Sequence, residues 1–147
     1  MEAHGDIVRC HQKFRVAPSI SFHLGRDYAR IVKILIVEDN PGVRRMLRRV
    51  VERLATEIHE SEDGDDAVRA YAEQLPDLVL MDIHMHRMDG LTATRQIREF
   101  HPAARVLIVT AYEDEELRSA AQDAGACGYV LKDKLAELPQ LISAVMR

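Results

Sequence analysis

The chain is 147 residues long, with 47% hydrophobic and 30% charged residues and a formal net charge of −4. That length fits one domain of common size with a core that needs no metal or disulfide staple, and the apolar content excludes a wholly disordered chain. Two cysteines, Cys10 and Cys127, exclude a disulfide scaffold and make a reducing compartment the default, and no apolar run reaches the ~18 residues of a membrane span.

Residues 1–32 carry five basic and three acidic side chains, net +2, while residues 33–147 carry fifteen and twenty-one, net −6. The opening Met1–Asp6 has neither the basic start nor the apolar run of a signal peptide, so a cytoplasmic location is expected. Pro18, Gly25 and scattered His and Ser interrupt each short apolar stretch, and 1–32 reads as a poorly ordered N-terminal extension. His4, Cys10, His11 and His23 match no standard zinc spacing. A remainder at −6 makes direct nucleic-acid binding unexpected, because phosphate contacts need clustered Lys and Arg.

Periodic structure begins at Lys33. Lys33-Ile34-Leu35-Ile36-Val37 is a continuous β-branched run suited to a strand buried on both faces. Asn40 caps a helix with Pro41 at its first position, and Val43, Met46, Leu47, Val50, Val51 and Leu54 form its apolar stripe. The five arginines on this helix read as a solvated face with an Arg48–Glu52 pair, or as a docking surface. A strand over Thr56–Glu60 leads to a helix over Asp65–Leu75, stopped by Pro76. Asp77–Asp82 is a buried strand, followed by a loop to Gly90 and a helix to about Phe100. Arg105–Thr110 is the fourth strand, Glu113–Ala124 the fourth helix, closed by Gly125, and Gly128–Leu131 the fifth strand. A last helix runs from about Pro139 to the end.

Five strands alternating with five helices predict an α/β fold, a doubly wound parallel sheet of flavodoxin-like order 2-1-3-4-5. Ligands of such sheets bind beyond the carboxyl ends of the strands. Those ends hold Glu38 and Asp39, Asp82, Thr110 and Lys132: three carboxylates, a hydroxyl and an ammonium. Crowded carboxylates repel, and an all-oxygen set open to water suits Mg²⁺.

Residues 33–147 resemble the receiver domain of two-component response regulators, here a single-domain type with an N-terminal extension. The resemblance rests on Glu38-Asp39, on Asp82 in Asp82-Ile83-His84-Met85-His86-Arg87-Met88-Asp89-Gly90, on Thr110-Ala111 and on Gly128-Tyr129-Val130-Leu131-Lys132. It implies a phosphorelay in which Asp82 accepts a phosphoryl group from a sensor histidine kinase or phosphotransfer protein. Asp39, Asp82 and the backbone carbonyl of His84 would hold Mg²⁺, with Glu38 acting through a water. Lys132, Thr110 and Ala111 would meet the phosphoryl group, and Tyr129 would turn inward with it. His84 and Tyr112, two residues after Asp82 and Thr110, stand where side chains tune hydrolysis. The face of helix four, strand five and helix five would bind a downstream protein, with a homodimer left open.

The chain departs from the family pattern at two places. His86 replaces a usual Pro, which loosens the loop after Asp82, and with His84 it leaves a Zn²⁺ or Cu²⁺ alternative open. Lys132-Asp133 replaces a Lys-Pro bond that is often cis, so a trans bond is expected. Lys-Asp resembles receivers that precede a helix-turn-helix, which leaves open a receiver fragment of a DNA-binding regulator. No such domain follows Arg147, so output through contacts alone is the expectation. The enzyme alternative is an Asp-nucleophile phosphatase, whose large families place a second Asp two residues on, where His84 stands. No Gly-x-Ser-x-Gly, Gly-x-Gly-x-x-Gly or P-loop pattern occurs, so a non-enzymatic signalling protein is expected.

Overall fold

A computed structural model of the chain describes residues 32–147. The reading of 1–32 as an extension, and of its His and Cys as no metal site, lies outside the described residues apart from Val32. The elements are β1 (Lys33–Val37), α1 (Pro41–Val51), β2 (Glu57–Ser61), α2 (Gly64–Gln74), β3 (Leu78–Met81), α3 (Gly90–Phe100), β4 (Val106–Thr110), α4 (Glu115–Asp123), β5 (Gly128–Leu131), a 3₁₀ helix (Lys132–Glu137) and α5 (Leu138–Met146). The strands form one sheet of order β2-β1-β3-β4-β5, parallel at every pairing. The predicted order is therefore the observed one.

Alternation along each strand divides the core into two layers. Leu35, Val37, Val79, Met81, Val106 and Ile108 face α2, α3 and α4, where Ala67, Tyr71, Ala93, Ile97 and Ala121 complete the packing. Ile34, Ile36, Leu78, Leu80, Leu107 and Val109 face the opposite side, against Leu47 and Val51 of α1 and Leu138, Ile142 and Val145 of α5. The three central strands are buried on both faces, which is why their sequences run apolar without a break.

Boundaries moved where side chains compete with periodicity. Asp114 accepts hydrogen bonds from the backbone N–H groups of Glu116 and Leu117, so α4 starts at Glu115 rather than Glu113. The final helix is preceded by the 3₁₀ turn, whose Leu135 is buried three residues before the buried Leu138 that opens α5. Met46 is 52% exposed, at the edge of the stripe centred on Leu47 and Val51. Arg48 pairs with Glu60 of β2 at 3.0 Å rather than with Glu52. The described peptide bonds include no cis bond, so Lys132–Asp133 is trans as expected.

Asp63 joins two parts of this fold. Its carboxylate caps α2 through the backbone N–H of Asp66 at 2.9 Å and accepts from Arg87 Nη2 at 2.5 Å. The cap and the guanidinium hold the Asp63 carboxyl below the usual carboxylate range. A carboxyl depressed in the folded state stabilises it above the unfolded pKa and loses that effect as pH falls through the folded one. Asp63→Ala should cost about 1 kcal/mol near neutrality, or roughly 4 °C in Tm. Thermal unfolding across pH checks it: the gap to wild type should narrow as acid titrates Asp63.

Candidate functional site

Register brings the acidic residues together. Val37 of β1 pairs with Met81 of β3, so Glu38 and Asp82 leave adjacent strands side by side. The Asp82 N–H donates to the Val37 carbonyl at 3.0 Å, and the Glu38 N–H donates to the Ser61 carbonyl at 3.0 Å. Carboxylate oxygens of Glu38, Asp39 and Asp82 all lie within 4.8 Å of one another. Glu38 and Asp82 are buried and Asp39 is half-buried.

Lys132 enters this group from the end of β5. Its Nζ lies 2.9 Å from Glu38 Oε1 and 3.2 Å from Asp82 Oδ1. Burial works against the ammonium, but the Glu38 hydrogen bond and the Asp82 charge outweigh it, so the Lys132 pKa is raised. Burial also raises both carboxyls. At Glu38 the Asp82 charge adds to the rise, against hydrogen bonds from Lys132 and the Asn40 N–H. At Asp82 the Lys132 charge and the Ile83 N–H oppose it, while Asp39 adds to it. One ammonium among three carboxylates leaves an excess of negative charge in a partly dry site, and a further cation would relieve it.

The residue types fit a hard divalent cation. The donors are carboxylate oxygens, with the loop backbone after Asp82 beside them. Among the described residues, the cluster of His, Cys, Asp and Glu able to share an ion is this one, and it contains no imidazole. The exposed His84 and His86 are outside it, so the Zn²⁺ or Cu²⁺ alternative gains no support. His86 Nε2 stands 3.8 Å from Asp39 Oδ2, and His84 packs edge-on against Tyr112 with ring centroids 5.0 Å apart.

Thr110 and Tyr129 meet in the loop after β4. Thr110 is fully buried and its Oγ1 accepts from the Tyr112 N–H at 3.3 Å; Ala111 beside it is exposed. Tyr129 points inward, 9% exposed, and its hydroxyl donates to the Tyr112 carbonyl at 2.7 Å. The Arg118 guanidinium lies 4.5 Å over the Tyr129 ring. Thus Glu38, Asp39, Asp82 and Lys132 converge on one another, while Thr110, Tyr112 and Tyr129 are linked through the Tyr112 backbone and His84 stands against the Tyr112 ring.

Supporting residues escaped sequence reasoning. Arg44 Nη1 donates to the Glu38 carbonyl at 2.7 Å while its Nε pairs with Glu60 at 3.1 Å, so it braces the acidic pair from α1. Arg87, with φ of 61°, reaches back to Asp63 and ties the loop that lacks the expected Pro. At Gly90 a Cβ would fall 1.8 Å from the Asp82 carbonyl oxygen, so only glycine allows this approach. Gly90 had a visible signal as the end of an Asp-Gly pair before a helix. The side-chain partners of Arg44 and Arg87, Glu60 and Asp63, lie 16 and 24 residues away and left none.

Comparison with known proteins agrees with this geometry. Residues 34–145 match the family model described as response regulator receiver domain. The chain is 40% identical over 100 residues to the chemotaxis protein CheY of Halobacterium salinarum, covering 68% of this chain and 83% of that one. It is 41% identical over 107 residues to the transcriptional regulatory protein YdfI of Bacillus subtilis, covering 71% of this chain and 50% of that one. Among solved structures, a two-component response regulator of the LuxR family from Aurantimonas superposes with a TM-score of 0.75 at 39% identity, over 79% of this chain and 85% of that one. CheY in the CheX–CheY–BeF3–Mg complex of Borrelia burgdorferi superposes at 0.77 and 28% identity, over 83% and 94%. The in-register acidic rim, its lysine and the family match lead to one conclusion: the chain belongs to the response regulator receiver domain family.

Proposed function

We propose that residues 33–147 act as the phosphoacceptor of a two-component phosphorelay, with Asp82 as the residue phosphorylated. The observation that carries this reading is the Lys132 ammonium held between Glu38 and Asp82 at the ends of adjacent strands. An Asp82 carboxylate oxygen attacks phosphorus, a P–O bond forms, and the P–N bond to the kinase histidine breaks as its imidazole leaves. Asp39, Asp82 and the His84 backbone carbonyl would hold Mg²⁺, which would supply charge neutralisation when bound. Glu38 would act on that ion through a water. Lys132 exchanges a carboxylate oxygen for a phosphoryl oxygen, a move its compact, flexible ammonium permits. Thr110 donates its hydroxyl to the group, and the exposed Ala111 leaves room for it.

Output follows from the same contacts. A Thr110 hydroxyl drawn toward the phosphoryl group gives up the bond from Tyr112 N–H, and Tyr112 carries the carbonyl that holds Tyr129. The face of α4, β5 and α5 then changes for a downstream protein. A cytoplasmic setting suits this role. Among the described residues, no helix is long and apolar enough to cross a membrane. A second reading, a receiver within a longer DNA-binding regulator, is favoured by the match to YdfI over half its length. It shares the phosphoryl chemistry. The phosphatase alternative lacks its general acid, since exposed His84 occupies that place.

Incubation of the full chain with acetyl phosphate and Mg²⁺ should give a slower band on a phosphate-affinity gel. Asp82→Asn or removal of Mg²⁺ with chelator should abolish that band. An unchanged band in Asp82→Asn refutes the proposal, and turnover of a phosphate ester in excess over protein supports the phosphatase instead.

Tyr112 and His84 form an edge-on aromatic pair beside Asp82, and we read it as a shield over the acyl phosphate. Tyr112→Ala keeps both backbone hydrogen bonds and should shorten the phosphoryl half-life several-fold, followed by release of inorganic phosphate. An equal or longer half-life counts against the shield.

Kinase docking is assigned to the α1 arginines left outward. Arg44 is committed to Glu38 and Glu60, whereas Arg45 and Arg49 are exposed. Reversing Arg45 and Arg49 to Glu should slow transfer from a cognate histidine kinase by roughly tenfold and leave acetyl phosphate labelling intact. Equal loss with both donors refutes docking there.

A further inference from the structure

In a doubly wound parallel sheet the helices run back against the strands, so their C-termini gather at the edge opposite the phosphoryl site. At that edge two large apolar side chains are exposed, Leu75 after α2 at 61% and Phe100 ending α3 at 71%. Between these helix ends the half-buried His101 ring lies against the buried Tyr71 ring, with centroids 4.7 Å apart and planes tilted at 49°. Leu75 is unusual there. It caps α2 with φ of 48°, a left-handed conformation that favours Gly or Asn. A Leu at this position accepts backbone strain and still leaves its side chain in water, which disfavours the site twice over unless something covers it.

The chain enters the fold at this place. Lys33 is fastened to the end of α2: its N–H donates to Asp77 Oδ2 at 2.8 Å and its Nζ to the Gln74 carbonyl at 2.8 Å. Residues 1–31 precede this point in the sequence. They hold five basic and three acidic residues, and the helix ends bear the exposed Glu73, Asp77 and Glu99. Within them Ile20, Phe22 and Leu24 alternate with Ser21 and His23, so an extended stretch sets three apolar side chains on one side. Leu24 is separated from Val32 by a tether of at most about 28 Å, more than the ~10 Å between packed helices.

We infer that the segment before Val32 docks in cis on the surface formed by Leu75, Phe100 and the half-buried His101, with Ile20, Phe22 and Leu24 as its apolar anchors. Docking leaves the Asp82 rim free, because it occupies the opposite edge of the sheet. This inference is independent of the phosphoryl chemistry, and its test does not read phosphorylation.

Hydrogen exchange by mass spectrometry on the full chain tests it, comparing wild type with the double variant Leu75→Gly, Phe100→Ser. Glycine suits the left-handed cap, and both replaced side chains are exposed, so α2 and α3 should keep their exchange rates. Leu75→Asn, Phe100→Gln serves if they do not. Amides around Ile20–Leu24 should exchange on the order of tenfold slower than in an unstructured peptide, at every protein concentration, and lose that protection in the variant. Free exchange in wild type, or protection that survives the variant, overturns the inference. Protection that fades on dilution overturns it too, by assigning the surface to a second copy.

Discussion

The structure is organised around a charge that it cannot neutralise by itself. Glu38, Asp39 and Asp82 converge within 4.8 Å, and Lys132 answers one of their three charges. At that separation each pair of carboxylates repels by roughly 3.5 kcal/mol at an effective dielectric near 20. Nothing local forces such an arrangement. It exists because β1 and β3 are hydrogen-bonded in a register that ends both strands at the same level. The wholly apolar runs Ile34–Val37 and Leu78–Met81 fix those strands in the sheet centre, where sliding by one residue would exchange the two core layers. The hydrophobic core thus holds the repelling groups in place, and the unrelieved repulsion is what would favour a bound cation at this rim.

Several contacts keep that rim from relaxing outward. Arg44 grips the Glu38 carbonyl from α1, and Gly90 brings α3 against the Asp82 carbonyl. Asp63 and Arg87 tie the β3–α3 loop to the start of α2. Each acts on backbone or on a neighbouring carboxylate rather than on the Asp82 side chain. The loop after β4 is held differently. Thr110, Tyr112 and Tyr129 are linked by two hydrogen bonds that both pass through the Tyr112 backbone, and Arg118 of α4 lies over the Tyr129 ring. A change at Thr110 therefore has a short physical route to α4, through groups that are packed rather than merely near.

The fold was legible in the sequence because its signals are local and redundant: apolar β-branched runs for strands, Asn40 and Pro41 for α1, and glycine or proline at most element ends. The acidic rim was legible for a related reason. Its members sit at strand termini, and topology alone converts termini into neighbours. What the sequence did not disclose was pairing across long separations. Arg48 could be matched to Glu52 by helical spacing, yet Glu60 on β2 wins, because both Arg44 and Arg48 project toward that strand and share its carboxylate. The 3₁₀ turn after Lys132 was hidden likewise, since a three-residue burial period over one turn resembles the start of a longer helix. The loss of Pro at His86 suggested a looser loop, but Arg87 restores the constraint electrostatically, through a partner 24 residues upstream.

The two edges of the sheet then divide the labour of the molecule. The carboxyl edge gathers nearly every buried charge, and its geometry is set by strand register, which small surface changes cannot alter. The amino edge holds Leu75 and Phe100, exposed beside the point where the preceding residues enter β1. Between the edges lie strands buried on both faces, stiff elements that transmit little unless a packed contact has two arrangements. Events at the amino edge can therefore add a binding property without disturbing the acidic rim. The exposed side chains there make no contact with the rim, whereas Glu38, Asp82 and Lys132 are bound to one another by charge and to the core by register.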